Sequence, residues 1–236
     1  SYRKLFDHFQ PQLLVGLTAT PERMDGKDLR PDFGNKISAE IRLPQALQAG
    51  LLTPFQYLCI SDDTDLSDDS LWSGQKYNIE RLADKLCAKT RAQLIVDALH
   101  KYLADEYTCR ALCFCVNKRH ADFMAEQLRI YGFNAQSLTS DTPTDERKQL
   151  AKDLREGTLH YLCVVDIFNE GVDIPEVDTV LFLRPTESLT IFLQQLGRGL
   201  RLSAGKTELT VLDFVAQANR KYDFASRFRA LTLQPE

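Results

Sequence analysis

The segment 194–201, with the sequence QQLGRGLR, places two arginines three residues apart. Arginine stays charged at physiological pH, and its planar guanidinium can pair with two phosphate oxygens at once. Because residues i and i+3 share one face of a helix, Arg198 and Arg201 are predicted to grip one γ-phosphate together. Gln194 begins the same turn and can donate or accept a hydrogen bond. The alternative is a solvated basic helix end, since cations are common at helix C-termini.

Polar residues also stand where other apolar runs end. Asn117 follows one such run and either caps the next helix or offers its amide to a nucleic-acid phosphate. In the segment DIFNEGVD (166–173), Gly171 permits an unusual backbone conformation, and Asp173 offers acceptors that suit a ribose hydroxyl. These positions indicate a site that recognises nucleotides and nucleic acid.

Four segments resemble, in the expected order, motifs III to VI of the superfamily-2 helicases and translocases. They are GLTATP (16–21), ALCFCVN (111–117), DIFNEGVD and QQLGRGLR. The sequences of residues 17–26 and 196–213 are similar to those of the bacterial DEAD/DEAH-type branch, which includes restriction-subunit-like translocases. One departure is Glu170, where the family often has arginine. The resemblance covers nearly the whole chain and implies the C-terminal RecA-like domain of such a motor.

The resemblance implies a role for each matching residue. Arg201 is the first choice for an arginine finger, with Arg198 beside it as the second catalytic cation. Thr18 and Thr20 are expected to couple the nucleotide's state to the nucleic-acid grip across a domain cleft. The remaining roles are ATP binding for Gly171, Asp173 and Gln194, and nucleic-acid binding for Asn117, Thr139, Ser140, Arg147 and Asp166. For Thr139, Ser140 and Arg147, ordinary turn roles remain the alternative.

The implied function is the second motor domain of an ATP-dependent nucleic-acid helicase or translocase. ATP and Mg²⁺ are expected to be bound mainly by a first RecA-like domain, and the nucleic acid is expected to be DNA rather than RNA. Two alternatives stay open: a restriction-type translocase that moves on double-stranded DNA without separating strands, and a non-catalytic module that binds nucleic acid or protein. The segment 205–207 (GKT) lacks the first glycine of a phosphate loop, since residue 200 is leucine, so the chain alone is predicted to be inactive.

Composition limits the other classes of function. The formal net charge of −4 and the pI near 5.7 argue against a surface that condenses entirely onto nucleic acid, although a narrow binding channel remains compatible. The six cysteines and four histidines show no metal-binding spacing, so no metal site is expected. No apolar run approaches the roughly 20 residues of a membrane span, and no signal-peptide pattern follows the N-terminus. We therefore expect a cytoplasmic protein without a membrane partner.

The chain is predicted to be α/β, a three-layer RecA-like domain with a mainly parallel sheet and helices on both faces. Residues 1–30 are expected to be the C-terminal remnant of the first RecA-like domain with a linker, and 31–236 the second domain. The first predicted elements are strand 13–18, helix 40–50, strand 54–60, a solvated acidic loop 61–74 and helices within 78–106. Strands are then predicted over 110–116, 135–139, 161–165, 179–183 and 207–214, with helices over 119–131, 144–156 and 189–196. Ligands are expected at the carboxyl ends of the strands.

Overall fold

The computed structural model describes residues 2–9, 12–18, 30–74, 76–165, 173–186, 188–218 and 231. Eight strands are described: β1 (Phe55–Leu66), β2 (Trp72–Ser73), β3 (Lys76–Tyr77), β4 (Ala111–Phe114), β5 (Ala135–Leu138), β6 (Tyr161–Val164), β7 (Thr179–Phe182) and β8 (Leu209–Ala218). The α-helices whose bounds fall within the described residues are α1 (Tyr2–Phe9), α2 (Leu43–Gln48), α3 (Ile79–Leu86), α4 (Lys89–Tyr102), α5 (Lys118–Ile130), α6 (Thr144–Glu156) and α7 (Leu189–Gly199). Short 3₁₀ helices cover Arg30–Phe33 and Asp69–Leu71.

Six strands form one sheet in the order β1-β8-β7-β4-β6-β5, and every neighbouring pair is parallel. Strands β2 and β3 form a separate antiparallel pair. Parallel strands need crossover connections, which α5, α6 and α7 supply. The predicted α/β fold with a parallel sheet is confirmed.

Side chains alternate between the two faces of the sheet and build two cores. Cys113 of β4 and Cys163 of β6 point into the core that α4 and α5 cover, whereas their neighbours Leu112 and Leu162 point into the core that α6 and α7 cover. Because both faces are buried, these strands are apolar throughout rather than alternating with polar residues. The helices therefore lie on both faces, as the sequence predicts.

Two predicted elements differ from the structure. Residues 13–18 form no strand within the described part of the chain, although their apolar run predicts one. The acidic segment 61–74 is not a simple solvated loop, because β1 continues through Leu66 along β8 before a short 3₁₀ helix and β2. Its Asp62 is buried. Among the described residues, no helix is long and apolar enough to cross a membrane.

A small third cluster extends the fold at the carboxyl end of the sheet. Leu66, Leu71 and Tyr77 pack with the apolar side of α3 against Val116, which follows β4. The rings of Trp72 and Tyr77 are in contact in a tilted arrangement, with centroids 4.5 Å apart. This packing places α3 directly beside the N-terminus of α5.

Candidate functional site: two polar edges of the sheet

The arginine segment begins inside a helix and ends outside it. Ser188 caps α7 by accepting a hydrogen bond from the amide of Ile191, and the helix runs on through Gly197 to Gly199. Arg198 is therefore helical, whereas Arg201 follows the C-cap residue Leu200. The assigned helix ends between the two arginines, with Leu200 still at helical dihedral angles, and their joint grip on one γ-phosphate stays a prediction.

Arg201 lies at the amino edge of the sheet, not at the carboxyl edge where the ligand site was expected. Helix α7 connects two parallel strands, so it runs antiparallel to them and its C-terminal end returns to the amino edge. The contacts agree, since Thr53, just before β1, bonds the main chain of both Leu200 and Arg201. The expected location is thus corrected for this part of the site.

The guanidinium of Arg201 forms an ion pair with the carboxylate of Asp173. The two side chains are 42% and 60% exposed, so solvent screens the pair and other ions can reach either partner. Arg155, near the end of α6, donates a 2.7 Å hydrogen bond to the carbonyl of Asp173 and fixes the main chain there. The structure thus brings together the predicted finger and the predicted ribose-binding residue.

Other predicted members of this group lie nearby or outside the described residues. Gln194 is exposed on α7, and Arg198 is half-buried, with burial lowering the pKa of its guanidinium. Asp166, Gly171 and Thr20 lie outside the described residues. Thr18 is described and exposed in the segment 12–18, so its coupling role stays a prediction.

Two residues that sequence reasoning missed hold the main chain of the arginine segment. Lys206 donates hydrogen bonds to the carbonyls of Gly199, Arg201 and Pro175, and Thr53 donates from its hydroxyl to the carbonyl of Arg201. Gly205 at φ 80° makes the turn that brings Lys206 back. The turn was readable from the sequence. Thr53 carried no local signal, because it lies 148 residues from its partner.

Gly199 allows α7 to end directly on the sheet. A Cβ at this position would lie 2.6 Å from Cδ1 of Leu209 and 3.0 Å from Cγ2 of Val180. Both distances fall below normal carbon contacts, so any larger residue would push the arginine segment away from β7 and β8. Gly197, by contrast, faces open space. Of the two glycines, only Gly199 is required for close packing.

At the carboxyl edge, Asn117 fulfils the predicted capping role. Its side-chain oxygen accepts a 3.0 Å hydrogen bond from the amide of His120 at the start of α5. Its side-chain nitrogen donates a 3.1 Å hydrogen bond to Glu80 of α3. Phosphate binding by this amide therefore requires Glu80 to release it, and the nucleic-acid role of Asn117 stays a prediction.

Two cationic side chains, Lys118 and Arg119, follow Asn117 at the start of α5. Arg119 donates to the carboxylate of Asp84 at 2.6 Å and to the carbonyl of Glu80 at 3.3 Å. Lys118 pairs with Asp141 at 2.6 Å, which joins the N-terminus of α5 to the loop after β5. All of these side chains are largely exposed. At the carboxyl edge, the cationic side chains are thus already paired with acidic side chains of the chain.

The loop 139–143 holds the other predicted nucleic-acid contacts. Thr139 is buried, and its hydroxyl accepts a hydrogen bond from the amide of Asp141, whereas Ser140 is exposed. Arg147 donates to the carbonyls of Thr142 and Ser140 at 2.7 and 2.8 Å. Arg147 therefore holds the main chain of this loop, and the side chain of Ser140 is exposed to solvent. Their contacts with nucleic acid stay predictions.

A buried charge pair lies near the carboxyl ends of β1 and β7. Nε of Arg91 donates to the carboxylate of Asp62 at 2.6 Å, and each side chain is 2% exposed. Burial raises the pKa of Asp62, but Arg91 and hydrogen bonds from Thr64 outweigh this effect and hold the pKa below its usual value. Arg91 also donates to the carbonyl of Leu183 after β7. The pair thus ties β1, α4 and β7 together.

His120 completes this buried cluster. Its Nδ1 accepts a 3.2 Å hydrogen bond from the amide of Val116, which places the proton of the neutral ring on Nε2. Burial lowers the pKa of His120 to about 3, and the charges of Arg91, Arg184 and Arg119 act in the same direction. Within the described residues no partner reaches Nε2 of His120 or Nη1 of Arg91. The histidine is therefore neutral at physiological pH.

The two edges suit different chemistry. The amino edge presents an exposed guanidinium on a fixed main chain, which suits an anion approaching from outside. The carboxyl edge presents several exposed polar and cationic groups along the ends of β4 and β5, which suits an extended anion such as a nucleic-acid backbone. Neither edge is enclosed by the described residues of this chain.

Comparisons with known proteins agree with the fold. The model of the helicase conserved C-terminal domain family matches residues 72–203, more than half of the chain. A Saccharomyces cerevisiae protein that carries the name ATP-dependent helicase IRC3 is 28% identical over 93% of this chain. The type I restriction enzyme EcoKI endonuclease subunit of Escherichia coli K12 is 25% identical over 91% of it. The chain spans 32% and 21% of the length of these two relatives.

Solved structures give a similar result. The fragment structure assigned to an HsdR subunit of a type I restriction enzyme from Vibrio vulnificus YJ016 superposes with a TM-score of 0.69 at 25% identity, covering 96% of this chain and 43% of that one. The structure of S. cerevisiae Dbp5 bound to RNA and ADP BeF3 reaches a TM-score of 0.52 at 16% identity, covering 86% and 43%. The second likeness concerns the fold alone.

Proposed function

The chain belongs to the helicase conserved C-terminal domain family, and from that premise we propose that it is the second motor domain of an ATP-dependent nucleic-acid helicase or translocase. The observation that carries this proposal is the exposed guanidinium of Arg201 on a main chain fixed by Thr53 and Lys206. In such a motor a first RecA-like domain binds ATP and Mg²⁺, and residues 1–30 are the end of that domain with a linker.

Arg201 would act as the arginine finger when the two domains close. Its charge stabilises the charge that develops on the γ-phosphoryl group, and a finger supplied in this way contributes roughly 10³ to 10⁵ in rate. Arg198, one turn earlier and half-buried, adds a second positive charge from the end of α7. Hydrolysis then depends on closure, because neither domain holds all the required groups.

The ion pair of Arg201 with Asp173 supports an exchange of partners when a nucleotide binds. The pair is exposed, so exchanging its partners costs little. A phosphate group replaces the carboxylate as the partner of Arg201, because it carries more negative charge in the same bidentate geometry. Asp173 is then free to accept a hydrogen bond from the ribose hydroxyl, with Gln194 and Gly171 beside the nucleotide.

The carboxyl edge would form part of the nucleic-acid track. Asn117, Ser140 and the main chain of the loop that Arg147 shapes offer polar groups to a phosphate backbone, and Thr139 supports that loop. Asp166, which lies outside the described residues, is proposed as a further nucleic-acid contact. The preference for DNA over RNA rests on the likeness to restriction-enzyme subunits.

A restriction-type translocase on double-stranded DNA is the second candidate, favoured by the TM-score of 0.69 with the HsdR fragment. The same motor parts serve both candidates. A strand-displacement assay with the intact protein distinguishes them: displaced single strands support a helicase, and ATP-driven movement without displacement supports the translocase.

The dependence on a first domain has a direct test. We expect the purified 236-residue chain to hydrolyse ATP negligibly with or without DNA, whereas the intact protein hydrolyses it in the presence of DNA. A turnover near one per second from the pure chain would show a complete active site within it and overturn the two-domain proposal.

A further inference from the structure

Lys206 and Thr53 hold the main chain on both sides of Arg201, and we propose that they are positioning residues that aim this arginine during hydrolysis. The inference rests on the proposed function, because it assigns a role in that same site. Neither residue needs to touch the nucleotide. Their effect passes through the carbonyl groups of the arginine segment.

Lys206 joins three parts of the site through one ammonium group. Its Nζ lies 2.5 Å from the carbonyl oxygen of Gly199, 3.0 Å from that of Arg201 and 3.1 Å from that of Pro175. An ammonium group has three protons, so all three donors are used. The bonds connect the end of α7, the arginine itself and the loop that carries Asp173.

Thr53 bonds the same main chain. Its hydroxyl donates a 2.9 Å hydrogen bond to the carbonyl of Arg201, and its amide donates a 2.8 Å hydrogen bond to the carbonyl of Leu200. Thr53 is 1% exposed, so water does not compete for these bonds. Three consecutive carbonyls, from residues 199 to 201, therefore have donors outside α7.

This arrangement fixes the base of a long and exposed side chain. The Arg201 side chain is 42% exposed, whereas its main chain is bonded to Thr53 before β1 and to Lys206 before β8, which also bonds Pro175. A misplacement of about 1 Å in a catalytic group can lower the rate about 10²-fold. Loss of either anchor is therefore expected to reduce the rate through Arg201 without removing a contact with ATP.

A purely structural role is the competing explanation for Lys206. A cation at the C-terminal end of a helix stabilises it in any case, because it satisfies carbonyls at the negative end of the helix dipole. If the role is purely structural, substitution of Lys206 lowers the stability of the fold and changes all kinetic constants. A positioning role lowers kcat, leaves the KM for ATP nearly unchanged and disappears when Arg201 is absent.

The experiment uses the intact protein with saturating DNA. We expect Lys206→Met and Thr53→Val to lower kcat about 10- to 100-fold, with the KM for ATP within about threefold of the parent. Thr53→Ser keeps the hydroxyl and is expected to retain near-parent kcat. Lys152→Met is the matched control, since Lys152 is exposed on α6 and, within the described residues, pairs with Glu156 alone at 3.9 Å. If Lys206→Met fails to fold, the comparison of Thr53→Val with Thr53→Ser carries the test.

A double-mutant cycle separates this inference from the proposed function. In the Arg201→Ala background, Lys206→Met is expected to lower kcat no further, because the residue that it aims is gone. Equal losses from Lys206→Met in both backgrounds would overturn the positioning role, as would a parent-like kcat for both Lys206→Met and Thr53→Val. If Arg201→Ala itself leaves kcat unchanged, the proposed function fails instead.

Discussion

Two arginine–aspartate pairs at the carboxyl edge have the same length but lie in different surroundings. Arg91 and Asp62 meet at 2.6 Å with both side chains 2% exposed, and Arg119 and Asp84 meet at 2.6 Å with side chains 53% and 64% exposed. The inner pair ties three elements together, whereas the outer pair joins two helix surfaces in contact with water. Distance alone therefore does not decide what an ion pair does.

The difference lies in desolvation. Once buried, a charge that loses its partner cannot recover its hydration, so the inner pair is effectively permanent. An exposed charge exchanges its partner for water, salt or another ion at little cost. The buried charged side chains of this edge, here called the inner layer, thus set its architecture. The exposed charged side chains, the outer layer, remain open to competition by a nucleic-acid phosphate.

The largest expected effect follows from breaking the inner pair. Asp62→Ala leaves Arg91 buried without its carboxylate and is expected to lower the free energy of unfolding of the 236-residue chain by about 3 to 5 kcal/mol. The matched change Asp84→Ala in the outer pair is expected to leave the urea midpoint at pH 7 nearly unchanged. Similar midpoints for the two variants would contradict the contrast between the layers.

The buried histidine of the inner layer predicts a pH dependence. The pKa of His120 falls from the usual 6.5 to about 3 in the folded chain, so below pH 6.5 the unfolded chain binds a proton that the folded chain does not. Stability from this group is therefore complete above pH 6.5 and is lost as the pH falls towards 3.

Between pH 6.5 and 5 this loss amounts to about 1.7 kcal/mol, because the slope rises from half of 1.36 kcal/mol per pH unit at pH 6.5 to nearly the full value at pH 5. Urea unfolding of the parent and of His120→Gln at both pH values isolates the contribution, because the carboxylates of the two proteins titrate alike. A parent and variant that lose the same stability over this interval would show that His120 titrates normally.

The smallest expected effect concerns the outer layer. Glu80→Gln together with Asp84→Asn removes the charges that compete for Asn117 and Arg119. In the intact protein we expect DNA affinity to increase about two- to fivefold at low salt, and the gain to shrink as salt rises. Fluorescence anisotropy across a salt series measures both. Unchanged or weaker binding would place the nucleic acid away from α3 and α5.

The sequence predicted the regular elements well where local signals sufficed. Helix α6 spans 144–156 as predicted, because Gly157 at φ 76° stops it and a proline precedes it. The strands of the inner sheet were recognisable because both of their faces are buried, which makes them continuous apolar runs. The parallel α/β architecture followed from the alternation of these runs with helical patterns.

The sequence failed where partners are distant in the chain. Asp62 was assigned to a solvated loop because its neighbours are acidic. Its partner Arg91, whose charge offsets the desolvation of the buried carboxylate, lies 29 residues away. The sequence also carried no sign that close packing at Gly199 and donors from Thr53 and Lys206 hold the main chain around Arg201. No local pattern reports such contacts.

The central claim is that Arg201 completes a nucleotide site whose other wall belongs to a neighbouring domain. Its most direct test is kcat for ATP hydrolysis by Arg201→Ala in the intact protein, at saturating ATP and DNA. We predict a fall of about 10³-fold or more with little change in ATP affinity. A kcat equal to that of the parent would contradict the claim.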